Sequence, residues 1–477
     1  MPPIPEDLEP GNPLGPCDPV DRRELLRRLA LTSAALLLAP LAPASADAAS
    51  SSKTKTSKSS KSKTTTRSTT RTRSKTTTKN SPAPRSTKRT PRGKAKAAPA
   101  RDPNQNPIDA IIGPSDVLVV TGPHGERLRN VNPTVPFVPA STLKVVTALT
   151  ALDVLGPDFR FRTTFRVDQD GKLVIEGGGD PYLVSEELGL IATHLAERAP
   201  ARGFTGVRVD DSLFERSLVV PGASDTANPY DAPVGALSAN FNTILVKRSK
   251  SGLESGEAQT PLTPTARDVA ASWRFRGWAR LNLRDSDVTA RYTGELIAAL
   301  LRERGVSVGP TVERVAAPVR GVPALYVHEQ SRPLSEVLRE CLKVSSNFIA
   351  NQVFLTLALQ SYSGAASFEK AARVVHAHLA RRGLADGFTI VEGSGLSRDN
   401  QATAEAFLRI LDAFEPWIGL LRLHEGSPSK TGTLSGTRTL VGYFDHEKHG
   451  HLHYVIYLDG NRSGVRFELV RLFRDYL

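Results

Sequence analysis

The run STLKVVTALTALDVL, from Ser141 to Leu155, limits what this chain can fold into more than any other stretch. Leu143, Val145, Val146, Leu149 and Leu152 leave no polar face wide enough for water, and Gly156-Pro157 ends the pattern, so the run reads as a helix enclosed in a core. A serine opens this helix and a lysine follows one turn later. At i and i+3, Ser141 and Lys144 share a face. A lysine enclosed in a core loses hydration, which disfavours its charged form and lowers its pKa. A neutral amine beside a hydroxyl can take the proton and leave a nucleophilic oxygen. The helix start also offers unpaired N–H groups for a developing oxyanion. The alternative is a serine N-cap beside a lysine reaching to solvent. Spacing alone does not decide, because Ser52/Lys55 and Ser60/Lys63 repeat it where there is nothing to bury.

With 477 residues there is room for two or three domains, and the net charge is +13. That charge is local. Residues 51–100 hold 16 Lys/Arg and no acid, whereas residues 101–477 hold 42 basic and 42 acidic residues. The folding region is neutral, which argues against a nucleic-acid face. Residues 47–105 read as a disordered basic Ser/Thr/Lys tether, either touching anionic envelope polymers or acting as a solvated spacer. Residues 1–46 read as an export signal: Arg22-Arg23, the apolar run Leu29–Leu38, and a small-residue cleavage site at Ala44-Ser45-Ala46. The arginine pair favours the twin-arginine route over general secretion. Pro40 and Pro43 interrupt a short apolar run, so no stable transmembrane anchor is expected, and the mature protein is placed in the periplasm or cell envelope. Cleavage removes Cys17 and leaves Cys341, a buried core residue rather than a thiol nucleophile, with no disulfide and no cysteine zinc site.

From about residue 106, strands and helices alternate without a strict βαβ rhythm, which predicts an α/β (α+β) domain with an antiparallel sheet flanked by helices. A helix is predicted near Tyr292–Arg304, two around Ser345-Ser346-Asn347, a hairpin over 116–128 and a long hairpin over 436–460. Two further stretches favour the catalytic reading of Ser141 and Lys144. Ser345-Ser346-Asn347 lies between helices, and Lys430-Thr431-Gly432-Thr433 leads into a strand, where Gly432 would let a substrate backbone approach the edge. S-x-x-K, S-x-N and K-T-G, in that order, form the signature of penicillin-binding proteins and serine β-lactamases.

With these motifs, and with FVPASTLKVVTAL, GGGDPYL, VDDSLF, ALSANFN, SSNFIANQV, VEGSGLSRDN and KTGTL, residues 108–477 resemble the D-alanyl-D-alanine carboxypeptidase/endopeptidase branch (class C type) of the low-molecular-mass penicillin-binding proteins. The resemblance implies the penicillin-binding protein/serine β-lactamase-like transpeptidase fold. It also implies a mixed domain inserted between the first two motifs: 106–164 and 326–477 would form the catalytic domain and 165–325 the insert, which is short for an insert of two pieces. It makes Ser141 the acylated nucleophile, Lys144 its base and Ser345 a proton relay. Asn347 would bind a substrate amide, Lys430 and Thr431 the terminal carboxylate, and the N–H groups of Ser141 and Thr433 the oxyanion. Asp180 and Arg398 would clamp the amine and carboxylate of a diaminopimelate side chain, with Leu434 against its methylenes; the alternative gives Asp180 to its own Gly-Asp-Pro turn and Arg398 to the surface. Ser346 stands where many relatives have Asp. The implied substrates are peptidoglycan peptides, with β-lactams as covalent inhibitors and no cofactor. A β-lactamase or esterase on the same fold, or a non-catalytic wall-binding protein, are the rivals. His446, His449, His451 and His453 sit at a hairpin tip without a carboxylate at ligand spacing, so a solvated turn is read there and no metal.

Overall fold

The computed structural model describes residues 105–315 and 321–477; the export signal and all but the last residue of the tether lie outside them. A six-stranded antiparallel sheet carries the catalytic half. Its strands run in the order Arg422–His424, Ser427–Leu434, Thr437–His446, Gly450–Asp459, Val117–Thr121 and Arg127–Val131. The first hairpin therefore pairs with the last, with Val119 opposite Val455. Alternate residues of these strands point to opposite faces. Leu118, Val120, Leu440, Tyr454 and Ile456 face the closing helix Val465–Tyr476 through Leu469, Val470 and Phe473. Val117, Val119, Val441 and Val455 face a core built from the helices Leu143–Leu155, Leu334–Val344, Asn347–Ala358, Phe368–Arg381 and Ala404–Phe414. In the first of these helices every residue from Leu143 to Leu152 is buried, as its all-round apolar pattern requires.

Between these halves, strands from Arg162 to Glu329 build a second sheet in the order Ala324–Glu329, Arg162–Val167, Leu173–Glu176, Val207–Asp210, Val312–Arg314. Its last two pairings are parallel, each reached through a helix, Ser185–Arg198 or Ser286–Glu303. A smaller sheet, Gly252–Ser255, Thr243–Ser249 and Gly277–Asn282, shares the same apolar core through Ile244, Val246 and Leu281. The two sheets between Arg162 and Glu329 thus share one core. Helix Ser286–Glu303 starts earlier than its apolar pattern suggests, because Asp285 caps it by accepting from the Val288 N–H at 2.8 Å. Among the described residues, no helix is long and apolar enough to cross a membrane.

Candidate active site

Ser141 lies in a single 3-10 turn, Ala140–Thr142, that runs straight into helix Leu143–Leu155. Lys144, 1% exposed, donates to Ser141 Oγ at 3.0 Å, Asn347 Oδ1 at 2.8 Å and the Ser394 carbonyl at 2.6 Å. Burial pulls its ammonium down from the usual range to about 8. Of the three partners only Ser141 carries a proton. A neutral Lys144 keeps two N–H bonds to the two carbonyl acceptors and turns its lone pair to the serine hydroxyl. The fold thus aims the one basic position of this amine at Ser141.

Ser345 separates helices Leu334–Val344 and Asn347–Ala358 and takes the left-handed conformation, φ 58°. Ala140, before the nucleophile, is left-handed too, φ 49°. Such a backbone costs about 1–2 kcal/mol for an L-residue with a Cβ, so both positions are held by their surroundings. Ser346 then caps the following helix by accepting from the Ile349 N–H at 3.2 Å. Serine and aspartate are both strong N-caps, so an aspartate here could cap the helix in the same way. Lys430, 2% exposed, donates to Ser345 Oγ and to the Thr431 carbonyl, both at 2.8 Å. Burial, and then the nearby positive charges of Lys144 and Arg466, hold it well below the usual lysine range. The side chains of all three motifs meet here, and Asn347 Nδ2 also donates to the Tyr230 carbonyl of the insert at 3.3 Å.

Strand Arg422–His424 pairs only with Ser427–Ser429, whereas Ser429–Leu434 pairs on its other side with Thr437–Gly442. Among the described residues the edge from Lys430 to Leu434 is therefore open, with Thr433 exposed and Thr431 and Leu434 half-buried. A Cβ at Gly432 would stand 2.0 Å from Thr439 Oγ1 and 2.8 Å from the Pro139 carbonyl, so the glycine also admits the turn that carries Ser141. Thr439 Oγ1 ties that turn to the sheet by donating to the Pro139 carbonyl at 2.8 Å.

The expected clamp is only half available. Arg398 is exposed and donates to the Ser435 carbonyl. Asp180 is 3% exposed, accepting from the Tyr182 N–H at 2.7 Å and from Gln330 Nε2 at 2.8 Å. Its carboxylate belongs to its own turn, and burial pushes it up to about 6. Cys341 is buried and its thiol is pushed up to about 11, which leaves it an inert core residue.

Three supporting residues escaped the sequence reading. Ser394 supplies the carbonyl that holds Lys144. Buried Glu392 shapes that loop by accepting from the Ser394 N–H at 2.7 Å, Ser394 Oγ at 2.6 Å and Asn400 Nδ2 at 2.7 Å. Arg466, from the closing helix, donates to the Gly432 carbonyl at 2.6 Å and the Thr439 carbonyl at 3.1 Å, behind the third motif. A glutamate among Gly, Ser and Asn in VEGSGLSRDN was the one available signal, since such a loop needs an internal acceptor. The histidine hairpin also needs amending: His451 and His453 lie in the strand Gly450–Asp459 and face carboxylates from other elements, Glu415 and Asp412.

The D-Ala-D-Ala carboxypeptidase 3 (S13) family matches residues 114–276 and 278–418 of the chain, ending before Lys430. Carboxypeptidase DacB of Mycolicibacterium smegmatis is 27% identical over 383 residues, 70% of this chain and 75% of that protein. A D-alanyl-D-alanine carboxypeptidase of an Actinomadura species is 27% identical over 428 residues, 70% and 77% of the two chains. Among solved structures, penicillin binding protein 4 (dacB) from Haemophilus influenzae is similar with a TM-score of 0.63 at 20% identity, covering 77% of this chain and 99% of that one. The fold is the one the three motifs led us to expect.

Proposed function

The chain belongs to the D-Ala-D-Ala carboxypeptidase 3 (S13) family, and on that premise we propose that it removes the terminal D-alanine of peptidoglycan stem peptides, or cuts D-alanyl cross-links, through an acyl-enzyme on Ser141. It is a penicillin-binding serine peptidase of the low-molecular-mass class, and β-lactams acylate the same oxygen. The observation that carries the assignment is the direction of Lys144: two carbonyls fix the amine and its remaining position meets Ser141 Oγ.

In this reading Lys430 and Thr431 take the terminal carboxylate, which compensates the charge that burial disfavours on Lys430. The peptide lies along the open edge from Lys430 to Leu434. Ser141 Oγ passes its proton to Lys144 Nζ and attacks the carbonyl, whose oxygen meets the N–H groups of Ser141 and Thr433. The leaving D-alanine nitrogen is protonated through Lys144 and Ser345, and water then releases the acyl group by the reverse proton path. Asn347 Nδ2 turns from Tyr230 to a substrate amide. Arg398 is free to meet a carboxylate on the third residue's side chain, beside Leu434, while Asp180 would first have to leave its turn. The division into two catalytic parts and an insert belongs to the same proposal, with its boundaries moved from 164/165 and 325/326 to before Arg162 and after Glu329, because the strands Arg162–Val167 and Ala324–Glu329 pair with each other in the second sheet. Export to the periplasm or cell envelope and contact of the basic segment 51–100 with anionic envelope polymers belong to it as well.

The test is release of free D-alanine from a soluble pentapeptide ending in D-Ala-D-Ala, measured for the wild type and for Ser141→Ala. Release by the wild type alone supports the reading. A wild type that neither releases D-alanine nor retains fluorescent penicillin would leave a wall-binding protein as the better description.

A further inference from the structure

Near the turn that joins the strands Thr437–His446 and Gly450–Asp459, two histidines of one strand meet a helix end. His451 and His453 are two apart in Gly450–Asp459, so their side chains leave the same face. Asp412, in helix Ala404–Phe414, and Glu415, opening the 3-10 segment Glu415–Leu420, are three apart and share a helical face turned towards them. His453 Nε2 lies 3.1 Å from Glu415 Oε2, and His451 Nε2 lies 3.6 Å from Glu415 Oε1. One carboxylate thus spans two imidazole nitrogens, and the three ligand atoms fall within 4.8 Å of one another. In a tetrahedral zinc site with bonds of about 2.0–2.1 Å, neighbouring ligand atoms stand roughly 3.3 Å apart, so the present separations bracket that spacing.

The other ring nitrogens are also engaged. His451 Nδ1 donates to Asp445 Oδ1 at 2.5 Å, and His453 Nδ1 lies 2.7 Å from Asp412 Oδ1. Each imidazole therefore has a carboxylate behind it, the arrangement that fixes tautomer and ring direction in metal sites. Tyr443 wedges the pair, 5.5 Å from the His451 ring and 5.0 Å from the His453 ring, and is itself held by its hydroxyl donating to the Leu411 carbonyl at 2.7 Å. His451 Nε2 is a buried atom with no hydrogen-bond partner, although it faces Glu415. Without a cation, His451 Nε2 stays unpaired. A cation between the two Nε2 atoms and Glu415 would give that nitrogen a partner.

We propose that Glu415, His451 and His453 bind a divalent transition-metal ion, with Asp412 and Asp445 orienting the two histidines. Two imidazole nitrogens and a carboxylate oxygen suit Zn2+, with the exposed side of Glu415 leaving a fourth position to solvent. The ion would join the hairpin to the end of helix Ala404–Phe414, and it stands apart from the peptidase chemistry.

The test is titration of the tag-free, chelator-treated full chain with Zn2+ at neutral pH, and with Co2+ as a visible-absorption probe of coordination. We expect one saturable equivalent and a Co2+ ligand-field band. Both should be lost in His453→Ala and in Glu415→Gln. Asp412→Asn should weaken binding about 10–100-fold, the usual effect of removing such an outer partner. His446→Ala and His449→Ala, at the hairpin tip, should bind as the wild type does. Penicillin labelling identical to wild type marks a variant as folded. Absence of saturable binding overturns the proposal. So does binding that survives both His453→Ala and Glu415→Gln, or binding that disappears with His446 and His449.

Discussion

Ser141 with Lys144, and Ser345 with Lys430, are chemically the same pair: a buried lysine amine hydrogen-bonded to a serine hydroxyl, at 3.0 Å in the first and 2.8 Å in the second. They differ in how the fold completes them. Lys144 has two carbonyl acceptors besides its serine, which satisfy the amine whether or not it carries the extra proton, and it rests at about 8. Lys430 has one carbonyl besides its serine, and burial together with the charges of Lys144 and Arg466 holds it well below its usual range. In the proposed mechanism the first amine exchanges a proton near neutral pH and the second meets an anion. Identical residue types thus acquire different tasks from their remaining hydrogen bonds and neighbouring charges.

The comparison breaks most directly at Lys144. Lys144→Met removes the base for every substrate, and kcat/KM should fall about 10²–10⁴-fold on peptide and β-lactam alike. In the wild type, kcat/KM should rise as pH passes upward through about 8, because the neutral amine is the active form and protonation below that value removes it. A profile flat between neutral pH and the alkaline limb would deny Lys144 this role.

Gly432→Ala sharpens the dependence between the pairs. The new methyl would collide with Pro139 and Thr439 and push the nucleophile's turn off the strand carrying Lys430, while the local Ser141–Lys144 spacing survives. A displacement of about 1 Å costs on the order of a hundredfold in rate, and penicillin acylation kinetics would show it. Wild-type kinetics in this variant would mean that the close approach is irrelevant.

Lys430→Met should be milder and selective. One charge-assisted contact is worth about 1.5–3 kcal/mol, so peptides with a free terminal carboxylate should lose roughly 10–100-fold in kcat/KM. The same peptides with a methylated terminus should lose little. Equal losses on both would move Lys430 from anion binding to proton transfer.

Ser346→Ala has the smallest expected effect. It deletes a helix cap beside Ser345 without touching either lysine, so unfolding free energy should drop by ~1 kcal/mol in a denaturant titration. Ser346→Asp should keep the cap. A large loss of activity with unchanged stability in Ser346→Ala would assign this residue to the chemistry.

The two pairs also differ in how far they could be read before the structure. Ser141 and Lys144 are neighbours in one helix, so spacing and apolar context suffice to join them. Ser345 and Lys430 are 85 residues apart and meet only through the fold; their motifs pointed to them, but nothing local revealed the contact. The partners furthest from view were backbone atoms and long-range donors. The Ser394 carbonyl has no residue-type signature, and Arg466 reads as one more charge on an amphipathic helix. Burial misled at Asp180, where an acid suited to a clamp is enclosed by Gln330 and its own turn. The neighbours of His451 and His453 were hidden for the same reason as the second pair: Asp412 and Glu415 lie at a helix end far in sequence from the strand that carries the histidines.

The central claim is that only the first serine becomes acylated. Peptide mapping by mass spectrometry after incubation with benzylpenicillin tests it. A single adduct is expected, on the peptide that contains Ser141, with Ser345 unmodified, and none in Ser141→Ala. An adduct on Ser345, or one that persists in Ser141→Ala, would contradict the account.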